Sequence, residues 1–191
     1  MNDTAATRSA EPEQLLAQSG AIREGHFVLD SGRHARRYCQ TVGAVADPEV
    51  GESLLDAVAE PWVATPVEAV LGANEAGSVM AYGLARRLGA RAVFARSTTD
   101  GAYRVLGGAL GGARVLVTDD VTTTGGTARA LIDAVRTAGG EAHGVALLAS
   151  KGLFTVDLGV PTTVTAELGG FDAVAAADCP ACARGEPVTP K

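Results

Sequence analysis

Apolar positions along the chain switch between two periods, and the switches mark out a series of elements. Val50, Leu54, Leu55 and Val58 recur three and four residues apart behind Asp47 and Pro48. An N-cap with proline at the first helical position precedes them, so the spacing predicts a helix to about Glu60. Beyond it the chain alternates. The pattern predicts strand Val67–Leu71, helix Gly77–Leu88, strands Arg91–Ala95 and Arg114–Thr118, helix Gly126–Ala138, and strands Ala142–Leu148 and Thr163–Ala166. Val115–Leu116–Val117 and Val145–Ala146–Leu147–Leu148 are apolar without alternation, as in strands covered by helices on both faces. The fold class is therefore α/β, with a central parallel sheet flanked by helices.

Ahead of this core, His26–Leu29 reads as a short strand ended by Asp30–Ser31–Gly32, with Tyr38–Thr41 as its hairpin partner. Residues Met1–Pro12 are small and polar and read as a frayed extension, with a first helical turn possible from Pro12. Between Arg96 and Gly112 the composition turns to Ser, Thr, Asp and Gly, which predicts a long loop or β-ribbon above the sheet.

Composition narrows the function classes. A chain of 191 residues, 47% hydrophobic and 20% charged, fits one cooperative core. The formal charge of −6 argues against nucleic acid as a partner, because that binding rests on Lys and Arg displacing counterions. No stretch approaches the ~20 apolar residues needed to span a bilayer, and Met1–Glu13 lacks an apolar signal core, so a cytoplasmic protein is expected. A basic run, Arg33–His34–Arg36–Arg37, faces either a small anionic ligand or solvent. Cys39, Cys179 and Cys182 are too few for a disulfide framework. Cys179 and Cys182 form a Cys-x-x-Cys pair, but a structural zinc needs four ligands and the sequence has no second pair. Histidines from elsewhere, or a second copy of the chain, would have to complete it.

The most informative stretch is Val115–Leu116–Val117–Thr118–Asp119–Asp120–Val121–Thr122–Thr123–Thr124–Gly125–Gly126–Thr127, followed at once by an amphipathic helix. Strand, acids, a hydroxyl and glycine turn, then helix is an arrangement that aims unpaired backbone N–H groups and the helix dipole at one spot, where a phosphate fits. Hydroxyls of Thr123, Thr124 and Thr127 add donors, and Gly125 and Gly126 permit close approach. Two carboxylates beside a phosphate make sense if they accept from sugar hydroxyls and hold magnesium, directly or through water. No Gly-Lys-Ser/Thr of a Walker loop follows, and Gly-x-Gly-x-x-Gly is absent from this stretch.

This stretch resembles the 5-phosphoribosyl-1-pyrophosphate (PRPP) motif of the type I phosphoribosyltransferases at every position from Val115 to Thr127. Gly25–His34 and Tyr38 are similar to the N-terminal hood segment of the orotate phosphoribosyltransferases. Asp178–Pro187 is similar to the tail of one bacterial branch of them. The resemblance covers roughly Ala21 to Pro187 and implies a type I phosphoribosyltransferase fold, homodimeric, catalysing magnesium-dependent transfer of phosphoribose from PRPP to orotate or a related planar acceptor in pyrimidine nucleotide biosynthesis. The chain is expected to divide into an extension and first helix at 1–20, partly disordered, and a single domain at 21–191. Within that domain, 21–45 and the C-terminal segment form a small hood over a core at 46–170.

By the same resemblance, Asp119 and Asp120 are the catalytic pair that contacts ribose and magnesium, and residues 122–127 (Thr122, Thr123, Thr124, Gly125, Gly126, Thr127) bind PRPP. Ala73–Asn74–Glu75–Ala76–Gly77 takes the place of the pyrophosphate loop, departing from Gly–Pro–Ala–x–Gly–Gly with a carboxylate at Glu75. In the mobile loop, where the family carries lysines, only Arg96 and Arg104 are cationic, and they are the candidates for pyrophosphate. Where the family grips the acceptor carboxylate with arginine, this chain has Lys151, a point charge without the bidentate fork. Phe27 and Tyr38 are candidates to stack on the acceptor ring or to serve the core.

Overall fold

The computed structural model describes residues 12–191, so the expected extension before Pro12 lies outside the described residues. Residues 12–18 form helix α1. Two strands follow, β1 (Ile22–Val28) and β2 (His34–Cys39), paired antiparallel with Val28 opposite His34 and Ile22 opposite Cys39. Both are longer than the alternation alone predicts, and β2 begins four residues before the predicted Tyr38. The turn closes earlier because Leu29 N–H donates to Arg33 O at 2.8 Å. Near the other end of the chain, β9 (Ala173–Val174) adds to the free side of β2. A small three-stranded sheet, β1-β2-β9, built from segments far apart in the chain results.

Helices α2 (Val42–Ala46) and α3 (Pro48–Ala59) lead into the large sheet. As expected for an N-cap, the Asp47 carboxylate accepts from Glu49 N at 2.9 Å and Val50 N at 3.3 Å. The sheet comprises β3 (Ala69–Ala73), β4 (Arg91–Ser97), β5 (Tyr103–Val105), β6 (Arg114–Thr122), β7 (Glu141–Lys151) and β8 (Thr162–Leu168). Their order is β5-β4-β3-β6-β7-β8, parallel throughout except for the antiparallel β4–β5 ribbon. Helix α4 (Asn74–Leu88) joins β3 to β4, α5 (Gly126–Thr137) joins β6 to β7, and a short α6 (Pro180–Ala183) lies in the tail.

Successive strand residues point to opposite faces, which divides the core in two. Val70, Leu116, Ala146 and Leu148 pack with α3 and α4, whereas Leu71, Val115, Val117, Val145 and Leu147 pack with α5. All nine are fully buried. Each buried Val or Leu among them contributes roughly 1.5–3 kcal/mol of burial free energy, so the runs without alternation are explained by helices on both faces.

Several boundaries differ from the sequence reading, and three of them shape the carboxyl edge of the sheet. β6 continues to Thr122 and β7 to Lys151, since Val121 pairs with Ala149 and Thr122 with Ser150. The acidic pair and the first threonine thus sit on the strand and not beyond it. Helix α4 starts at Asn74 and not at Gly77, which removes most of the expected loop there. The turn is tight enough that a Cβ on Gly72 would come within 1.9 Å of Gly77 O, and Asn74 holds φ 58°, the one non-glycine in the left-handed region among the described residues.

Candidate active site

Four parallel strands end along one edge of the sheet, and each carries a candidate residue there. β3 delivers Asn74 and Glu75, β4 delivers Arg96, β6 delivers Asp119 to Thr122, and β7 ends on Lys151. Ligands of open α/β sheets bind at this carboxyl edge. The adjacency of β3 and β6 brings the start of α4 against the acid-bearing strand, where a Cβ on Gly77 would stand 3.8 Å from Thr118 O.

The loop after β6 is built around Gly125, which caps α5 with φ 72° and has no side-chain hydrogen bond to the helix N-terminus. The first N–H groups of α5 therefore have no capping side chain and remain free for an acceptor from outside. Thr122 is buried, and its hydroxyl oxygen accepts from Gly125 N at 2.9 Å. This corrects the sequence expectation for that residue: Thr122 holds the loop in shape from below. Thr123, Thr124 and Gly126 are exposed, and Thr127 is half-buried.

Asp119 is buried, 5% exposed, while Asp120 is half-buried and accepts a hydrogen bond from the Thr41 hydroxyl. Burial pushes the Asp119 carboxyl up to about 7, and the neighbouring charge of Asp120 pushes in the same direction against a donated Asp120 N–H. Two close carboxylates in a desolvated place want a counter-charge or hydroxyl donors. Hard oxygen ligands of this kind fit magnesium and its bound waters, and also the hydroxyls of a ribose. Thr41, itself buried at the N-terminus of α2, has no signal in the sequence beyond its hydroxyl.

Between the small sheet and the loop lies a cavity of about 540 Å³. Thr123 lines it from the loop after β6, Lys151 from the end of β7, Arg33 and Arg37 from β2 and its turn, and Phe171 from the segment after β8. Arg37 stands over the Phe171 ring at 4.9 Å and Lys151 at 5.8 Å from its centroid. Arg37 Nε is buried without a hydrogen-bond partner. The strand period sorts the basic run into two sets, with Arg33 and Arg37 toward the cavity and Arg36 paired with Glu186 on the other side. A planar ring with an anionic substituent suits such walls.

Phe27 is a correction. It has no exposed surface and stacks on Tyr38 at 5.4 Å, so it has no face left for an acceptor. Tyr38 is half-buried in that stack and does not line the cavity. Cys39, nearby, is a packing thiol that burial pushes up to about 11. The aromatic residue at the cavity is Phe171, missed in the sequence although it follows Gly169–Gly170 at the end of a strand on the same edge.

On the opposite side of the loop, Arg96 shares a cleft of about 290 Å³ with Asn74, Glu75 and Ser78. Arg104 lies opposite Arg96 across the β4–β5 ribbon. Like charges opposed in this way are unfavourable without an anion between them or solvent around them. Glu75 is exposed in the first turn of α4, a position the helix dipole favours for a carboxylate. Ala73, Ala76 and Gly77 are buried, which limits this turn's exposed side chains to Asn74 and Glu75. Asn74 Nδ2 donates to the Tyr103 hydroxyl at 3.5 Å, tying the turn to the ribbon.

No family model matches the chain. Individual proteins do. It is 36% identical over 176 residues to an orotate phosphoribosyltransferase of Pelotomaculum thermopropionicum, covering 91% of both chains. It is also 36% identical over 179 residues to the orotate phosphoribosyltransferase of Carboxydothermus hydrogenoformans, covering 92% of this chain and 93% of that one. Among solved structures, orotate phosphoribosyltransferase from Aeropyrum pernix superposes with a TM-score of 0.69 at 29% identity, over 81% of this chain and 92% of that one. With the PRPP-type loop, the carboxyl-edge site and relatives matched almost end to end, the chain belongs to the orotate phosphoribosyltransferase family.

Proposed function

We propose that this chain transfers the 5-phosphoribosyl group of PRPP to orotate with release of pyrophosphate, a step of pyrimidine nucleotide biosynthesis. The observation that carries this reading is the cavity wall: Lys151, Arg37 and Phe171 offer cations and a ring to a flat anion directly beside Thr123 of the phosphate loop. The reading is in keeping with the family to which the chain belongs.

In this reading the free N–H groups of α5 and the hydroxyls of Thr123, Thr124 and Thr127 hold the 5-phosphate. The carboxylates of Asp119 and Asp120 accept from the ribose hydroxyls. Bound magnesium would neutralise charge on the pyrophosphate, and the acidic pair would hold it through oxygen ligands or their waters. Arg96, with Arg104 opposite, draws the departing pyrophosphate toward the cleft at Asn74. Transfer at the anomeric carbon builds positive charge on the sugar and negative charge on the leaving group, so orientation and fixed charge count for more than proton transfer.

Residues 21–191 serve as one domain in this reading, with the small sheet and tail as a hood. A homodimer is part of it, in keeping with Val79 and Tyr82, three apart on α4 and exposed by 38% and 62%. A cytoplasmic setting accords with three unpaired cysteines. No described helix is long and apolar enough to cross a membrane.

The test is an acceptor panel. With PRPP and magnesium present, pyrophosphate release should depend on orotate and stay near background with uracil or adenine, which lack the carboxylate that Lys151 and Arg37 would meet. Equal release with uracil would overturn the assignment of those cations, and release with adenine alone would overturn the choice of acceptor.

A further inference from the structure

The hood carries a second constellation that phosphoribosyl transfer does not use. His26 of β1, His34 of β2, and Cys179 and Cys182 of the tail bring their ligand atoms within 4.8 Å of one another. Cys182 Sγ lies 3.3 Å from His34 Nδ1 and 3.5 Å from His26 Nε2, and Cys179 Sγ lies 3.7 Å from His26 Nε2. His26, His34 and Cys179 are buried, and both cysteines are free thiols.

We propose that these four side chains bind a structural zinc ion that locks the C-terminal tail onto the hood sheet. Zinc in structural sites is tetrahedral, with nitrogen at ~2.0–2.1 Å and sulfur at ~2.3 Å, so its ligands stand roughly 3.3–3.8 Å apart. The three sulfur–nitrogen distances lie in that range. His26 Nε2 and His34 Nδ1 stand 2.8 Å apart and would open by about half an ångström to admit the ion.

The surroundings of His26 point the same way. Its Nδ1 lies 2.9 Å from Glu186 O, and a carbonyl can only accept, so Nδ1 carries the proton and Nε2 presents its lone pair to the cluster. A ligating imidazole is commonly oriented by such a bond from its other nitrogen. Two thiolates and two neutral imidazoles balance the charge of one divalent ion. Binding would release the two thiol protons and change no oxidation state.

The residues come from positions 26, 34 and 179–182, which explains why the lone Cys-x-x-Cys pair looked incomplete in the sequence. Folding supplies the missing half. The ion would also brace the acceptor cavity, because β2 carries His34 on one face and Ala35 and Arg37 toward the cavity, while β9 contributes Ala173. Thr189 strengthens the same closure, donating its N–H to His26 O at 2.7 Å. None of this depends on which acceptor the enzyme uses.

The experiment begins with elemental analysis of the full chain purified without chelator or metal-affinity resin, where about one zinc per chain is expected. The metal-stripped protein, kept reduced, is then titrated with cobalt(II). One equivalent should give the visible absorption of tetrahedral cobalt together with a thiolate charge-transfer band. Cys182→Ser and His34→Asn, each checked for folding by circular dichroism, should weaken metal binding by more than the 10–100-fold that losing a supporting partner alone costs. Chelation of the wild type should lower its melting temperature and raise the KM for the acceptor more than that for PRPP. A folded, reduced wild type that takes up neither zinc nor cobalt would overturn the proposal. So would undiminished binding in both variants, or a Cys179–Cys182 disulfide in protein isolated without oxidant.

Discussion

The phosphate loop and the hood solve similar problems from opposite starting points. Residues 115–127 form a contiguous strand, turn and helix start, so their ligand geometry follows from local backbone rules. The cavity and the His–Cys cluster draw on β1, β2, the end of β7, the segment after β8 and the tail, and exist only once these distant segments meet. Local sites persist in the chain's own conformation, whereas assembled sites depend on everything that holds the parts together. Substitutions in the loop should therefore change catalysis with the fold intact, and those in the hood should change acceptor affinity and stability together.

The largest effect is expected from replacing both acids. Asp119→Asn with Asp120→Asn should lower kcat/KM by about 10³-fold or more, since both charges proposed to meet ribose and magnesium vanish, with little change in circular dichroism. Arg96→Ala comes next. It should cost about 10²-fold, mostly in kcat, the effect of losing a donor of the kind proposed for Arg96, one that acts on developing charge. A fall in acceptor affinity alone would place Arg96 outside the pyrophosphate path.

At the cavity, Lys151→Ala should raise the orotate KM roughly 10- to 100-fold, the scale of a lost hydrogen bond to a charged group, while the KM for PRPP changes little. Equal rises in both would erase the distinction drawn between the regions. Phe171→Leu should have a smaller effect of the same kind, a few-fold in orotate KM, because apolar contact survives while the ring face is lost.

The smallest effect concerns pH. A free aspartate titrates near ~3.9, whereas Asp119 in the folded chain titrates at about 7. The folded chain thus holds this proton more tightly, and the stability it contributes is fully present below about pH 4 and is lost as the pH rises toward about 7. Without metal and PRPP, the melting temperature of the wild type should fall over this range more than that of Asp119→Asn. Parallel curves would show that burial beside Asp120 does not hold Asp119 protonated.

How much was legible in advance follows the same division. The α/β alternation, the two-faced strands and the acid–threonine–glycine loop could be read because each depends on neighbours in sequence. The ends of β6 and β7 could not, since they are set by pairing between Val121 and Ala149 and between Thr122 and Ser150. Phe27 and Phe171 carry the same lesson. Both are aromatic residues near a turn, and only the packing of the hood decides that Phe27 is core and Phe171 faces the cavity. His26 and His34 gave no sign of being partners for Cys179 and Cys182, separated as they are by most of the chain.

The most direct test of the account is a steady-state assay with PRPP, magnesium and orotate that follows orotate absorbance and pyrophosphate together, in the wild type and in the double variant at Asp119 and Asp120. The account predicts equimolar loss of orotate and appearance of pyrophosphate in the wild type, and neither in the variant. Wild-type protein that binds PRPP but leaves orotate untouched would contradict it.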